Sequence, residues 1–216
     1  MGCTSRAGTC HNAAMKIAIL DRDGTINEDH AYYVKSADEW VPLPGALEAI
    51  ARLNHAGWHT VVASNQSGIG RGLFDMAALN AMHTKMNRLL QQVGGRIDAV
   101  YFCPHAPDDG CDCRKPLPGL LLQIGERYGV DLAQVPMVGD SLRDMQAAVA
   151  AGCKPHFVAS GKHRGDDVLA IARLLAGVPG VHGHADLAAF AEALIQSERA
   201  ARSEAGRPQS GYGHLE

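Results

Sequence analysis

The sequence predicts an α/β fold: a Rossmann-like, doubly wound parallel sheet with helices on both faces. Three observations carry this expectation. Short aliphatic runs of strand length alternate with longer stretches whose apolar residues recur at helical spacing, the pattern of successive βαβ units. The first of these runs, Lys16–Leu20, is apolar enough to read as a buried strand. Acid-rich and glycine-rich turns follow directly after the strands, and a doubly wound sheet keeps its ligands beyond the carboxyl ends of its strands.

In chain order, strand Lys16–Leu20 ends at Asp21. Gly45–His55 follows as a helix, with Ala46, Leu47, Ile50 and Leu53 on one face. Strand Thr60–Ser64 leads to helix Met76–Leu90, and strand Ala99–Phe102 to helix Gly119–Tyr128. Strand Val135–Gly139 is followed by helix Ser141–Ala151, then strand His156–Ala159 and helix Asp167–Leu175. Val181–Gly183 is a short edge strand, and helix Leu187–Ile195 closes the domain. One domain over 15–195 is expected, preceded by a disordered leader at 1–14 and followed by a flexible tail at 196–216, where Ser, Gly, Arg and Glu dominate. The intervals Asp21–Ser64 and Ser64–Lys115 are filled by these elements, so no large cap domain is expected.

Composition narrows the function classes. Twenty lysines and arginines against 23 acids leave a net charge of −3, without the basic excess of a protein that coats nucleic acid. Hydrophobic content of 46% and charged content of 20% are ordinary for a globular chain. No apolar run is long enough for a membrane span, and Met1–Ala14 lacks the apolar core of a secretory signal. A cytoplasmic location follows as an expectation, with no nucleic-acid or membrane partner.

Four strand-end clusters carry chemistry. Asp21-Arg22-Asp23-Gly24-Thr25 places two carboxylates two residues apart in a loop. One can act as nucleophile while the other does acid and base work, although a plain Asp-Gly turn is the alternative. Gly139-Asp140-Ser141-Leu142-Arg143-Asp144 ends one strand and opens a helix. Asp140 is either an N-cap or, paired with Asp21 across the sheet, part of a hard-oxygen site of the kind magnesium takes, with Asp144 in support. Ser64, with the amides and glycines that follow it, can cradle a phosphate or form a polar turn. Arg114-Lys115 sits where a helix opens, a poor place for cations unless an anion partners them; a solvated surface pair is the alternative.

Cys103-Pro-His105 and Cys111-Asp-Cys113 are joined by turn-forming residues. Three thiolates and an imidazole suit a closed tetrahedral zinc site; buried free thiols and a disulfide are the alternatives. With all four positions filled by protein, such a zinc is structural. Fixing Cys113 also fixes the direction of Arg114 and Lys115.

Asp21-x-Asp23-Gly-Thr, Ser64, Lys115 and Gly139-Asp140-x-x-x-Asp144 resemble, in order, the four motifs of the haloacid-dehalogenase-like phosphohydrolases. The resemblance implies that Asp21 attacks phosphorus and that Asp23 protonates the leaving oxygen and later activates water. It implies that Asp21, Asp140 and the Asp23 carbonyl hold magnesium, and that Ser64 and Lys115 hold the phosphoryl group. Ser64–Gly72 and Cys111–Pro116 resemble the branch of the family that acts on sugar bisphosphates. This implies removal of the 7-phosphate of a heptose 1,7-bisphosphate in lipopolysaccharide-core precursor synthesis. Histidinol phosphate is the alternative substrate, and a non-catalytic zinc-containing binding module the alternative outside enzymes. Substrate contacts implied by the resemblance are Asp29, His30, Ala31, Tyr32, Asn65, Gln66, Ser67 and Arg114, the last matched to the second phosphate by its guanidinium. Where the family often has lysine this chain has Ser141. Gly161–Arg164 reads as a basic surface turn. Oligomeric state is left open; family members of this size can be monomers.

Overall fold

A computed structural model of the chain describes residues 15–205; the leader expected at 1–14 and residues 206–216 lie outside them. Six parallel strands form one sheet in the order β3-β2-β1-β4-β5-β6. They are β1 (Lys16–Leu20), β2 (Trp58–Asn65), β3 (Ala99–Cys103), β4 (Pro136–Gly139), β5 (Lys154–Val158) and β6 (His182–His184). The order grows outward in both directions from β1 and β4, so the switch point of the topology lies between the ends of these two strands.

Both faces are covered, because the pleat sends alternate side chains to opposite sides. Ala18 and Leu20 of β1 join the core beneath α1 (Ala46–His55), α3 (Met76–Gln92) and α7 (Leu187–Ala205), with Ile50, Leu53, Met82 and Phe190. Ile17 and Ile19 join the opposite core beneath α4 (Gly119–Tyr128) and α5 (Leu142–Ala151), with Leu121, Ile124 and Ala148. The remaining α-helices are α2 (Ser67–Gly70), a single turn, and α6 (Val168–Leu174). Among the described residues no cap domain is inserted after β1 or after β3.

Several boundaries differ from the sequence expectation, and two of the differences have clear physical reasons. β5 begins at Lys154 rather than His156, so Pro155 lies within a strand. The Lys154 amide donates to Val135 O on the β4 side, so the next nitrogen faces the other way, where β6 pairs only from His156 onward. The missing proline N–H therefore leaves no ladder bond unmade. The tail expected from Gln196 is helical as far as Ala205. Its Ala, Glu, Gln and Arg residues are good helix formers. Glu198 anchors it, accepting from Lys16 Nζ (2.9 Å) and from Trp58 Nε1 (3.2 Å). No helix among the described residues is long and apolar enough to cross a membrane.

Candidate active site

The ends of β1, β2 and β4 and the loop after β3 enclose an open cavity of about 220 Å³ at the switch point. Asp21 stands at its floor, only 8% exposed, at the end of β1. Lys115, on the loop after β3, is buried and donates to Asp21 Oδ1 (2.7 Å) and Ala63 O (2.7 Å), and pairs with Asp144 (2.6 Å). Burial and then the charge of Asp144 push the Asp21 pKa up to about 7, against the lowering pull of Lys115. For Lys115 burial acts the other way, but Asp144 and Asp21 outweigh it and hold the ammonium above its ordinary range.

Asp140, at the end of β4, is buried, and its Oδ2 has no hydrogen-bond partner among the described residues. Burial, then Asp21 and Asp144, push its pKa up to about 8. One carboxylate oxygen from each of Asp21, Asp140 and Asp144 lies within 4.8 Å of the others. Gly24 holds a positive φ of 82° directly against Asp140, leaving no room for a Cβ. Asp144 closes a capping box on α5: its Oδ2 accepts from the Ser141 amide (3.0 Å) and hydroxyl (2.6 Å). Ser141 is thereby turned to Asp144.

Asp23 is shifted the opposite way. Burial opposes its charge, but Arg22 and hydrogen bonds from Asn27, Arg22 and Gln66 outweigh it and hold its pKa below the usual carboxylate range. Arg22 is fully buried and grips the carboxylate at 2.9–3.1 Å through Nε and Nη2. Gln66 Nε2 bridges Asp23 Oδ2 (2.8 Å) and Ser64 Oγ (2.7 Å).

The structure brings Asp29, His30, Ala31, Ser64, Asn65, Gln66, Ser67 and Arg114 to the cavity wall together with the acids and Lys115. The side-chain amide of Asn65 clamps the Lys115 backbone in both directions, at 3.0 Å each. Tyr32, expected among the substrate contacts, is 81% exposed and is not among the residues that line the cavity. Tyr33 lines it instead, because its left-handed backbone (φ 68°) turns the chain there, and its hydroxyl accepts from Ser67 Oγ (3.4 Å). Two of the glycines after Ser64, Gly68 and Gly70, are needed for packing: a Cβ on Gly70 would lie 2.7 Å from Pro104 O. Sequence reasoning missed Arg22, Tyr33, Arg143 and Lys162. The signal for Arg22 was a cation between two acids, and for Lys162 a strand-end position at the same edge of the sheet. The Gly161–Arg164 turn, expected at the surface, thus contributes to the cavity.

Beside this cavity Cys103, His105, Cys111 and Cys113 converge, with one ligand atom of each within 4.8 Å of the others. Cys103 and Cys111 sulfurs are 3.7 Å apart and unbonded, and His105 Nδ1 lies 3.5 Å from Cys103 Sγ and 3.3 Å from Cys113 Sγ. Zinc–thiolate bonds of about 2.3 Å in a tetrahedron imply sulfur separations of about 3.8 Å, so the donor set fits zinc, and the three cysteines are free thiols in this structure. Burial and then the neighbouring thiols push the Cys113 thiol up to about 12, a load that a dication relieves.

The chain is 58% identical over 185 residues to the D-glycero-beta-D-manno-heptose-1,7-bisphosphate 7-phosphatase of Bordetella bronchiseptica, covering 84% of this chain and 99% of that one. It is 51% identical over 181 residues to the enzyme of the same name from Pseudomonas aeruginosa, covering 83% and 98%. A solved structure of D,D-heptose 1,7-bisphosphate phosphatase from B. bronchiseptica, complexed with magnesium and phosphate, is similar with a TM-score of 0.80 and 57% identity, over 85% of this chain and 99% of that chain. Residues 11–152 match the haloacid dehalogenase-like hydrolases, and the chain belongs to that family.

Proposed function

We propose that this chain is a magnesium-dependent phosphomonoesterase that removes the 7-phosphate of D-glycero-β-D-manno-heptose 1,7-bisphosphate, a cytoplasmic step toward lipopolysaccharide-core precursors. One observation carries the reading: a buried carboxylate, Asp21, faces an open cavity with Lys115 on one of its oxygens and the unpartnered Asp140 Oδ2 beside it. The resemblance to enzymes so named supports the substrate and the β configuration.

A carboxylate must approach a phosphate carrying nearly two negative charges. At 4 Å and an effective dielectric of about 20, each like-charge pair costs about 4 kcal/mol. Two pairs, about 8 kcal/mol, amount to roughly six decades in rate. Asp21, Asp140 and the Asp23 carbonyl would hold magnesium, which when bound supplies positive charge beside the transferring group. Lys115 supplies the other cation and orients Asp21 by engaging Oδ1 alone. Asp21 then forms its bond to phosphorus as the bond from phosphorus to the sugar oxygen breaks. Asp23, carrying a proton taken up with the substrate, gives it to that oxygen and afterwards takes one from the water that cleaves the aspartyl-phosphate, so the proton is restored at each turnover. Arg22, Asn27 and Gln66 favour the ionised form of Asp23, which the second half requires, so the first half draws on a proton held against that pull. Ser64 and Lys115 hold the phosphoryl oxygens, and Gln66 orients both Ser64 and Asp23. Tyr33, His30 and Asp29 line the side from which the sugar enters, with Arg114 available to the second phosphate. Cys103, His105, Cys111 and Cys113 would hold a structural zinc that stiffens the loop carrying Arg114 and Lys115.

The test is phosphate release with magnesium from the two anomers of heptose 1,7-bisphosphate and from histidinol phosphate. The β-anomer is expected to be preferred and to yield the 1-phosphate. Asp21→Asn should lower turnover by about 10⁴-fold or more. A preference for histidinol phosphate overturns the substrate, and near-normal turnover by Asp21→Asn overturns the nucleophile.

A further inference from the structure

The turn after β5 is built against the phosphoryl site. Ser160 Oγ donates to Gly24 O at 2.7 Å, a buried bond that ties the turn to the loop carrying Asp21 and Asp23. Gly161 adopts a positive φ of 56°, and a Cβ there would lie 2.7 Å from both Asp140 Oδ2 and Gly24 Cα. The backbone of the next residue, Lys162, is therefore positioned by the atoms that shape the floor of the cavity.

Lys162 lines that cavity and is exposed to incoming ligand. Its ammonium enters none of the ion pairs among the described residues. It shares the cavity wall with Asp140 and Asp29. The cavity wall carries five carboxylates against four cations. Of these cations Lys115 is engaged by Asp21 and Asp144. A substrate with one phosphate over Asp21 must settle its other phosphate in this acid-rich cavity beside a cation that is still free. Arg114 comes from the β3 flank of Asp21 and Lys162 from the β5 flank, because the sheet order sets these two loops on opposite sides of β1.

We propose that Lys162 is a specificity-determining residue that grips the phosphate remaining on the sugar, from the flank opposite Arg114. This rests on the bisphosphate reading above. A lysine there that only balanced the acids of the magnesium site would serve every phosphomonoester alike, and the two roles separate in one experiment. Lys162→Met and Lys162→Arg are assayed on heptose 1,7-bisphosphate and on heptose 7-phosphate across a magnesium titration. A charge-assisted hydrogen bond to phosphate predicts that Lys162→Met raises KM for the bisphosphate about tenfold and changes kcat less than about threefold. The bisphosphate-to-monophosphate ratio of kcat/KM should fall by the same factor, recover in Lys162→Arg, and converge with the wild-type ratio as salt is added. An equal loss on both substrates, or a raised magnesium requirement, overturns the assignment of Lys162 alone. Failure of the unaltered enzyme to cleave the bisphosphate overturns the functional reading and this proposal with it.

Discussion

Two clusters of anionic side chains lie one loop apart in this molecule and are built in opposite ways. Asp21 and Asp140 stand at the ends of β1 and β4, held by the sheet and by both cores, and Asp144 lies on the first turn of α5. Cys103 closes β3, but His105, Cys111 and Cys113 come from the following loop, which has no regular element before Gly119. In the first cluster the fold supplies the geometry, and a bound cation has only to supply charge. In the second, the zinc proposed for it would supply geometry as well. Rigidity borrowed from a sheet leaves coordination positions free for substrate; rigidity borrowed from four ligands uses them all.

The sharpest way to break the comparison is to remove the residue that joins the two regions. Lys115→Met leaves Asp21 and Asp144 buried without their shared cation. Turnover should fall about 10³-fold or more, and unfolding free energy by about 3 kcal/mol. Single-turnover kinetics and denaturant titration measure the two. A variant with near-normal kcat would show that the loop cation does not serve the carboxylate site.

A smaller effect is expected in the loop itself. Cys111→Ser should cost about 2 kcal/mol of stability, lower zinc content, and raise KM several-fold, because Arg114 and Lys115 lose a fixed direction. The chemistry of Asp21 should persist, so kcat should change less than KM. Metal analysis beside steady-state kinetics decides it; full zinc content and unchanged KM would contradict a stiffening role.

The smallest effect separates charge from geometry by pH. In the magnesium-free protein, burial raises the pKa values of Asp21 to about 7 and Asp140 to about 8, from 3.8. Between these limits the folded state binds more protons than the unfolded state. The stability associated with these groups is therefore full below about pH 4 and is lost as pH rises through 7 to 8. A loss on the order of 1–3 kcal/mol should appear as a fall of several degrees in thermal midpoint from pH 5 to pH 8.5. Saturating magnesium should flatten that slope. A midpoint that rises with pH without magnesium would mean that the carboxylates already have their counter-charge.

Much of this was legible in the residues. β1 and Asp21 could be read because an aliphatic run meets an acid abruptly, and the four thiol and imidazole ligands because soft donors crowd a short, turn-rich segment. What could not be read depended on contacts distant in sequence. Tyr33 rather than Tyr32 faces the cavity because of one positive φ, which adjacent identical residues cannot signal. Asn65 turns to the Lys115 backbone fifty positions away. Helix α7 continues past Ile195 because Glu198 finds Lys16 and Trp58, not because of apolar spacing.

The strand order has a consequence for how such an enzyme changes over generations. The groups proposed to move the phosphoryl unit gather around the two central strands, while Arg114 and Lys162 hang from loops on the outer flanks. A lineage can therefore substitute Arg114 or Lys162 singly and trial new substrates, while Lys115, Ser160 and Gly161 on the same two loops keep the reaction centre in place. Diversification by point substitution on either flank is built into the order in which the strands were laid down.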